Sequence, residues 1–112
     1  MNDTERARFR ARITARLAEI DEEDARGREG QATVTLDQQA IGRLSRQDAL
    51  QSQAMARATH ARRDVERRRL RAALDRIDEG EFGYCEDCGE EIAPARLELD
   101  PGTTRCISCA AG

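Results

Sequence analysis

Apolar residues are sparse along this chain, and they recur at helical spacing. Phe9, Ile13, Leu17 and Ile20 follow at steps of four, four and three, which sets them on one face of a helix from Asp3 to about Arg26. Arginines and acids fill its other faces, and Gly27 and Gly30 are read as its end. A second helical pattern starts after Ser45, with Asp48 three residues on, close to a capping box. It reaches about Glu79, where Gly80 stops it, a length that points to a coiled coil. Its seam reads Leu50, Ala54, Ala58, Ala61, Val65, Leu70, Ala73, Leu74 and Ile77. Residues 27 to 44 are read as the connection, which gives a tip loop of about 27–46, with a helical turn within Asp37 to Ile41 and a bend at Gly42-Arg43-Leu44. Two helices joined by one connection pack antiparallel, which places Ile20 beside Leu50 and Ala54, and Phe9 beside Val65.

Composition narrows the picture. The chain has 112 residues, of which 38% are hydrophobic and 37% charged, with no Trp, one Tyr and two Phe. That is too little to build a compact core of ordinary size; helices with a narrow apolar seam, held by a metal, suit it better. Every basic residue other than His60 is Arg, yet the net charge is −3, which argues against a general nucleic-acid binder. No apolar run approaches membrane-spanning length, and none follows Met1-Asn2-Asp3-Thr4 as in a secretory signal, so a cytoplasmic location is expected. Glu19, Asp21, Glu22, Glu23 and Asp24 fall at the expected end of the first helix, where acids oppose the macrodipole. They are either a solvated face or an acidic patch for a partner. Residues 62–71 carry six arginines. Local pairs, Arg62 with Glu66 and Asp64 with Arg68, would brace a solvated face, but a basic excess remains that suits docking on an acidic surface or on phosphate.

The strongest chemical signal is four cysteines in two pairs. Cys85-Glu86-Asp87-Cys88 and Cys106-Ile107-Ser108-Cys109 are separated by 17 residues, the spacing of a structural zinc site. Gly89 follows the first pair, where a turn calls for a backbone conformation that glycine reaches cheaply. Disulfides would need an oxidising compartment, and a redox pair would leave the second Cys-x-x-Cys unexplained. Four thiolates close a zinc site, whereas a catalytic zinc keeps one position open. The one histidine, His60, lies elsewhere, in a helical stretch. One structural Zn2+ and no enzymatic chemistry are therefore expected. The expected fold is mainly α: a long antiparallel helical hairpin (coiled coil) over residues 1–79, then a small four-cysteine zinc finger over 80–112. Pro94 suits the start of a helical turn, and Pro101-Gly102 a tight turn.

The residues Phe82-Gly83-Tyr84-Cys85-x-x-Cys88-Gly89-x-x-Ile92, then Arg96-Leu97, Pro101 and Cys106-x-x-Cys109, closely resemble the zinc-finger signature of the DksA/TraR family. The resemblance implies a bacterial transcription regulator that binds RNA polymerase directly and not DNA. Its coiled coil would enter the secondary channel, with the tip near the catalytic centre. The family's tip usually reads Asp-x-x-Asp-x-Ala. Here Ser45-Arg46-Gln47-Asp48-Ala49 offers Asp48 and Ala49 side by side, without the first acid; Asp37 with Ala40 is a weaker match. By the same resemblance Arg69 takes the place of a helpful basic residue, and Arg62 and Arg67 fall where the channel rim would be met. Longer members carry a basic residue just before the finger's proline, where this chain has Asp100, so a weak or absent response to ppGpp is expected. A monomer is expected. Two other readings compete: a zinc-stapled adaptor for some other protein, and a DNA-binding zinc finger, which the acidic balance disfavours.

Overall fold

The computed structural model describes the backbone of residues 1–41 and 46–111 and the side chains of 1–28 and 46–111. Two long helices dominate: α1, Asp3–Ile41, and α2, Arg46–Glu79. Two short ones follow, α3 over Pro94–Leu99 and α4 over Ile107–Ala111. No strand occurs among the described residues, only an isolated antiparallel bridge between Tyr84 and Glu91. The mainly helical fold with a four-cysteine module is as the sequence predicts.

The tip loop is a correction. α1 passes through Gly27 and Gly30 and continues to Ile41, so most of the expected 27–46 loop is helix, including the turn at Asp37 to Ile41. A helical glycine costs about 1 kcal/mol relative to alanine. No proline lies between Asp3 and Ile41, and the Gln, Ala and Leu residues that follow are good helix formers. Ser45, with its expected capping role, and the bend at Gly42-Arg43-Leu44 lie outside the described residues. The acids Glu19 to Asp24 stand mid-helix, so the expected conflict with the helix dipole does not arise.

The chain forms two compact units: Met1–Leu17 with Glu66–Gly112, and Ala18–Val65. This division differs from the expected boundary at residue 80, because the finger belongs with the start of α1 and the second half of α2.

In the first unit, Asn2 caps α1, its Oδ1 accepting from the Glu5 N–H at 2.8 Å. Arg10 meets Asp78 at 2.5 Å and Arg16 meets Glu66 at 2.7 Å, so α1 and α2 run in opposite directions there. Phe9, Ile13, Leu70, Ala73 and Ile77 are buried, joined by Phe82, Ile92 and Leu97 of the finger. The rings of Phe9 and Phe82 lie 5.3 Å apart, tilted, a favourable aromatic geometry. Phe9 therefore meets the finger and not Val65, which is 48% exposed. The expected register placed the turn too early; with α1 ending at Ile41 and α2 starting at Arg46, positions on α1 meet later positions on α2 than the sequence pattern implied.

In the second unit Ile20 is buried, but the expected seam on α2 is not. Leu50 is 61% exposed, and Ala54, Ala58 and Ala61 are exposed. The buried contact that α1 makes with α2 here is polar: Asp24 of α1, whose carboxylate holds the Arg63 guanidinium and lies 3.1 Å from His60 Nδ1.

Candidate metal centre

The finger begins where Gly80, at φ +78°, ends α2. The chain then folds into a knuckle. Cys85 N–H donates to Glu90 O at 2.8 Å, Gly89 N–H to Cys85 O at 2.9 Å, and Ile92 N–H to Gly83 O at 2.7 Å. Gly89 sits at φ +77°, the left-handed conformation its place in the sequence called for. Gly83 has φ +91°, and a Cβ there would lie 3.3 Å from Met1 Cε and 3.7 Å from Leu97 Cδ1, so the knuckle also needs its glycine for close packing.

The second pair sits at the start of α4, where Ala110 N–H donates to Cys106 O at 2.9 Å. The two pairs are stitched together by Glu86 N–H on Thr104 O at 2.9 Å, and by Arg105, whose Nε lies 3.1 Å from Asp87 and 3.7 Å from Glu86. Arg96 of α3 donates to Arg105 O at 3.0 Å. Pro94 opens α3, and Pro101-Gly102 form a turn, both as expected.

These contacts bring one sulfur from each of Cys85, Cys88, Cys106 and Cys109 within 4.8 Å of one another, with Cys88 and Cys106 sulfurs 3.7 Å apart. Cys85 is buried, Cys106 and Cys109 are half-buried, and Cys88 is exposed. Backbone donors at Cys106, then Cys88 and Asp87, pull the Cys85 thiol down to about 6. Cys109 is pushed up to about 12 by the neighbouring sulfurs of Cys106, Cys85 and Cys88. The crowded sulfurs oppose one another's ionisation, and a divalent cation reverses that opposition. Four thiol donors at this separation fit one tetrahedral Zn2+, held by Cys85, Cys88, Cys106 and Cys109 and serving to fold the module.

The expected polymerase-facing residues fall elsewhere. Asp48 and Ala49 lie in the first turn of α2, Asp48 exposed and Ala49 half-buried. Arg62 is exposed and Arg67 half-buried. Arg69 is committed within the protein: its Nη2 lies 2.6 Å from Asp100 Oδ2, and its side chain lies over Gly102, 3.4 Å from where a Cβ would stand. The expected local brace of Arg62 with Glu66 is replaced, because Glu66 takes a two-pronged bond from Arg16 Nε and Nη2 at 2.7 and 2.8 Å. Sequence reasoning also missed Glu98 of α3, which receives Arg8 at 2.6 Å and Arg12 at 3.2 Å. The only hint of it was the row of arginines at positions 8, 12 and 16 on one face of α1.

The fold and the site together define a helical protein with one C4 zinc finger. Residues 80–112 match the family described as the prokaryotic dksA/traR C4-type zinc finger. A Haemophilus influenzae protein named RNA polymerase-binding transcription factor DksA is 46% identical over 50 residues, covering 42% of this chain and 34% of its own length. The protein of the same name from Escherichia coli K12 is 42% identical over 50 residues, 42% of this chain and 33% of its own length. The matched segment thus spans about a third of these relatives. Among solved structures, transcription factor DksA2 from Pseudomonas aeruginosa superposes with a TM-score of 0.76 at 21% identity, over 98% of this chain and 83% of that one. A Chlamydia trachomatis structure, titled RNA polymerase binding protein and transcriptional regulator, gives 0.61 at 21%, over 99% and 88%. The finger at residues 80–112 is thus similar to the DksA/TraR C4 type, and the solved structures share the fold of the chain.

Proposed function

We propose that the protein is a transcription regulator that binds bacterial RNA polymerase directly, and that it is not an enzyme. The observation that carries this reading is the four-cysteine finger together with 46% identity over 50 residues to a relative named for polymerase binding. The two long helices would be the part that enters the secondary channel, with Asp48 and Ala49 presented toward the catalytic centre. Zinc would hold the finger that seats the helices and would take no part in chemistry. Asp48 would act by shifting the balance of polymerase states, which needs only a difference in contact between them.

Docking would fall to Arg62 and Arg67, with attraction that weakens in salt. Arg69 would join them by exchanging its bond to Asp100 for an acid on the polymerase. The same pair bears on ppGpp: an arginine already neutralised by a carboxylate at 2.6 Å makes a poor polyphosphate contact, so little or no ppGpp response is proposed through this face.

The test is binding of the zinc-loaded chain to core RNA polymerase, with a known secondary-channel factor as competitor. Mutual displacement is the expected result. Binding without displacement would discard the channel reading, and absence of binding by a folded, zinc-loaded chain would favour an adaptor for another protein. Given displacement, Asp48→Asn should spare binding and abolish the effect on open-complex lifetime.

A further inference from the structure

The second unit has a groove of about 440 Å3, open to solvent, that the proposed function does not use. α1 contributes Asp24, Gly27 and Arg28 to its lining, and α2 contributes Arg57, His60 and Arg63. Several of its polar groups are already engaged. The Asp24 carboxylate is buried and holds Arg63. His60 turns Nδ1 to Asp24 at 3.1 Å and Nε2 to Asp64 at 3.4 Å, so both ring nitrogens face carboxylates. Asp24 and Asp64 have further partners within the protein. Arg28 and Arg57 are different. One comes from each helix, both are exposed, and neither makes an ion pair among the described residues.

We propose that this groove binds the phosphate groups of a small molecule, with Arg28 and Arg57 as the residues that hold them. Counting the lining and Asp64 behind His60, three arginines stand against two carboxylates, so with a neutral imidazole the net charge is +1. Arg63 and Asp24 offset each other, which leaves the positive charge at the two exposed guanidiniums. A guanidinium presents a planar fork of N–H donors that matches phosphate oxygens two at a time. A carboxylate has oxygens for one such fork, whereas a diphosphate can give one phosphate group to each arginine. Gly27 and Ala56 add little bulk, and no aromatic ring lines the groove, so a nucleobase would find no stacking partner there. Recognition therefore rests on the phosphates alone, and it weakens as salt screens the charges. A bound anion links α1 to α2 within this unit and stabilises the pair by mass action. The proposal is independent of polymerase binding.

The experiment uses the full, zinc-loaded chain, titrated with inorganic pyrophosphate near neutral pH at constant ionic strength. Uptake is followed by calorimetry and by the guanidinium N–H signals of the arginines. The expected result is one saturable equivalent, with shifts at Arg28 and Arg57 and retention of the zinc. Arg28→Gln and Arg57→Gln should each weaken binding about tenfold or more with helix content unchanged. Arg71→Gln, at an exposed arginine of the first unit, should leave it unchanged. A parallel titration with adenosine diphosphate separates free from carried phosphate: similar or weaker affinity supports a site for phosphate alone, and much tighter affinity would overturn that reading. The site itself is overturned if the parent chain takes up no saturable pyrophosphate, or if Arg28→Gln and Arg57→Gln bind as tightly as the parent. It is overturned equally if Arg71→Gln weakens binding as much as they do, since that marks diffuse attraction to the whole surface.

Discussion

At the scale of single residues, burial and close contact decide what each substitution does. Phe9 is almost fully buried and packs, tilted, against Phe82 of the finger. Phe9→Ala should lower stability by about 3–5 kcal/mol in chemical denaturation, the range for removing a buried aromatic. Gly27 is the opposite case. A Cβ there would meet Arg63 Nη2 at 3.2 Å, the far end of a flexible side chain, and the backbone is ordinary helix. Gly27→Ala should therefore raise the melting temperature, through a gain of up to about 1 kcal/mol in helix propensity. At Asp100, burial pushes the carboxyl up, but the Arg69 guanidinium, with Gly102 and Thr103, outweighs it and holds the group below its usual range. Glu66 is likewise lowered, chiefly by Arg16 and against its burial. A carboxyl depressed in the folded state contributes stability above its ordinary pKa and loses it as pH falls through the folded value. Acid should thus weaken the first unit below the ordinary carboxylate range. Asp100→Asn and Glu66→Gln should each flatten the dependence of stability on pH there, as measured by denaturation across the acid range.

At the scale of elements, legibility followed the range of the interactions. The knuckle was readable because its determinants are local: two Cys-x-x-Cys pairs, and a glycine at the position where φ is +77°. The apolar face of α1 was readable for the same reason, since Phe9, Ile13 and Ile20 recur at helical spacing and all three are buried. The end of α1 was misread, because two glycines alone do not end a proline-free helix when Gln31, Ala32, Leu36, Gln38, Gln39 and Ala40 follow to offset Thr33, Val34 and Thr35. That single error moved the register and separated Phe9 from its real neighbours. Long-range pairs such as Arg16 with Glu66, Arg69 with Asp100, and Arg63 with Asp24 leave no periodic trace, since an arginine in this chain has many candidate acids. α3 and α4 have six and five residues, too short to hold their shape alone. Removing zinc with a strong chelator, or Cys85→Ser, should cost the finger its amide-exchange protection while most of the helical circular dichroism persists.

At the scale of the whole molecule, charge and metal content set behaviour more than the apolar core does. No helix among the described residues is long and apolar enough to cross a membrane. If polymerase docking runs through Arg62 and Arg67, raising salt should weaken it, and Arg62→Glu should reduce affinity while leaving zinc content at one per chain. The first unit also has an implication for biosynthesis. Met1–Leu17 pack with Glu66–Gly112, so these early helical turns find their partners only after the later segment has left the ribosome. Until then Phe9 and Ile13 stay uncovered. A nascent chain stalled short of the second cysteine pair would present a sticky amphipathic segment to chaperones and proteases, and the arrival of zinc would end that exposure.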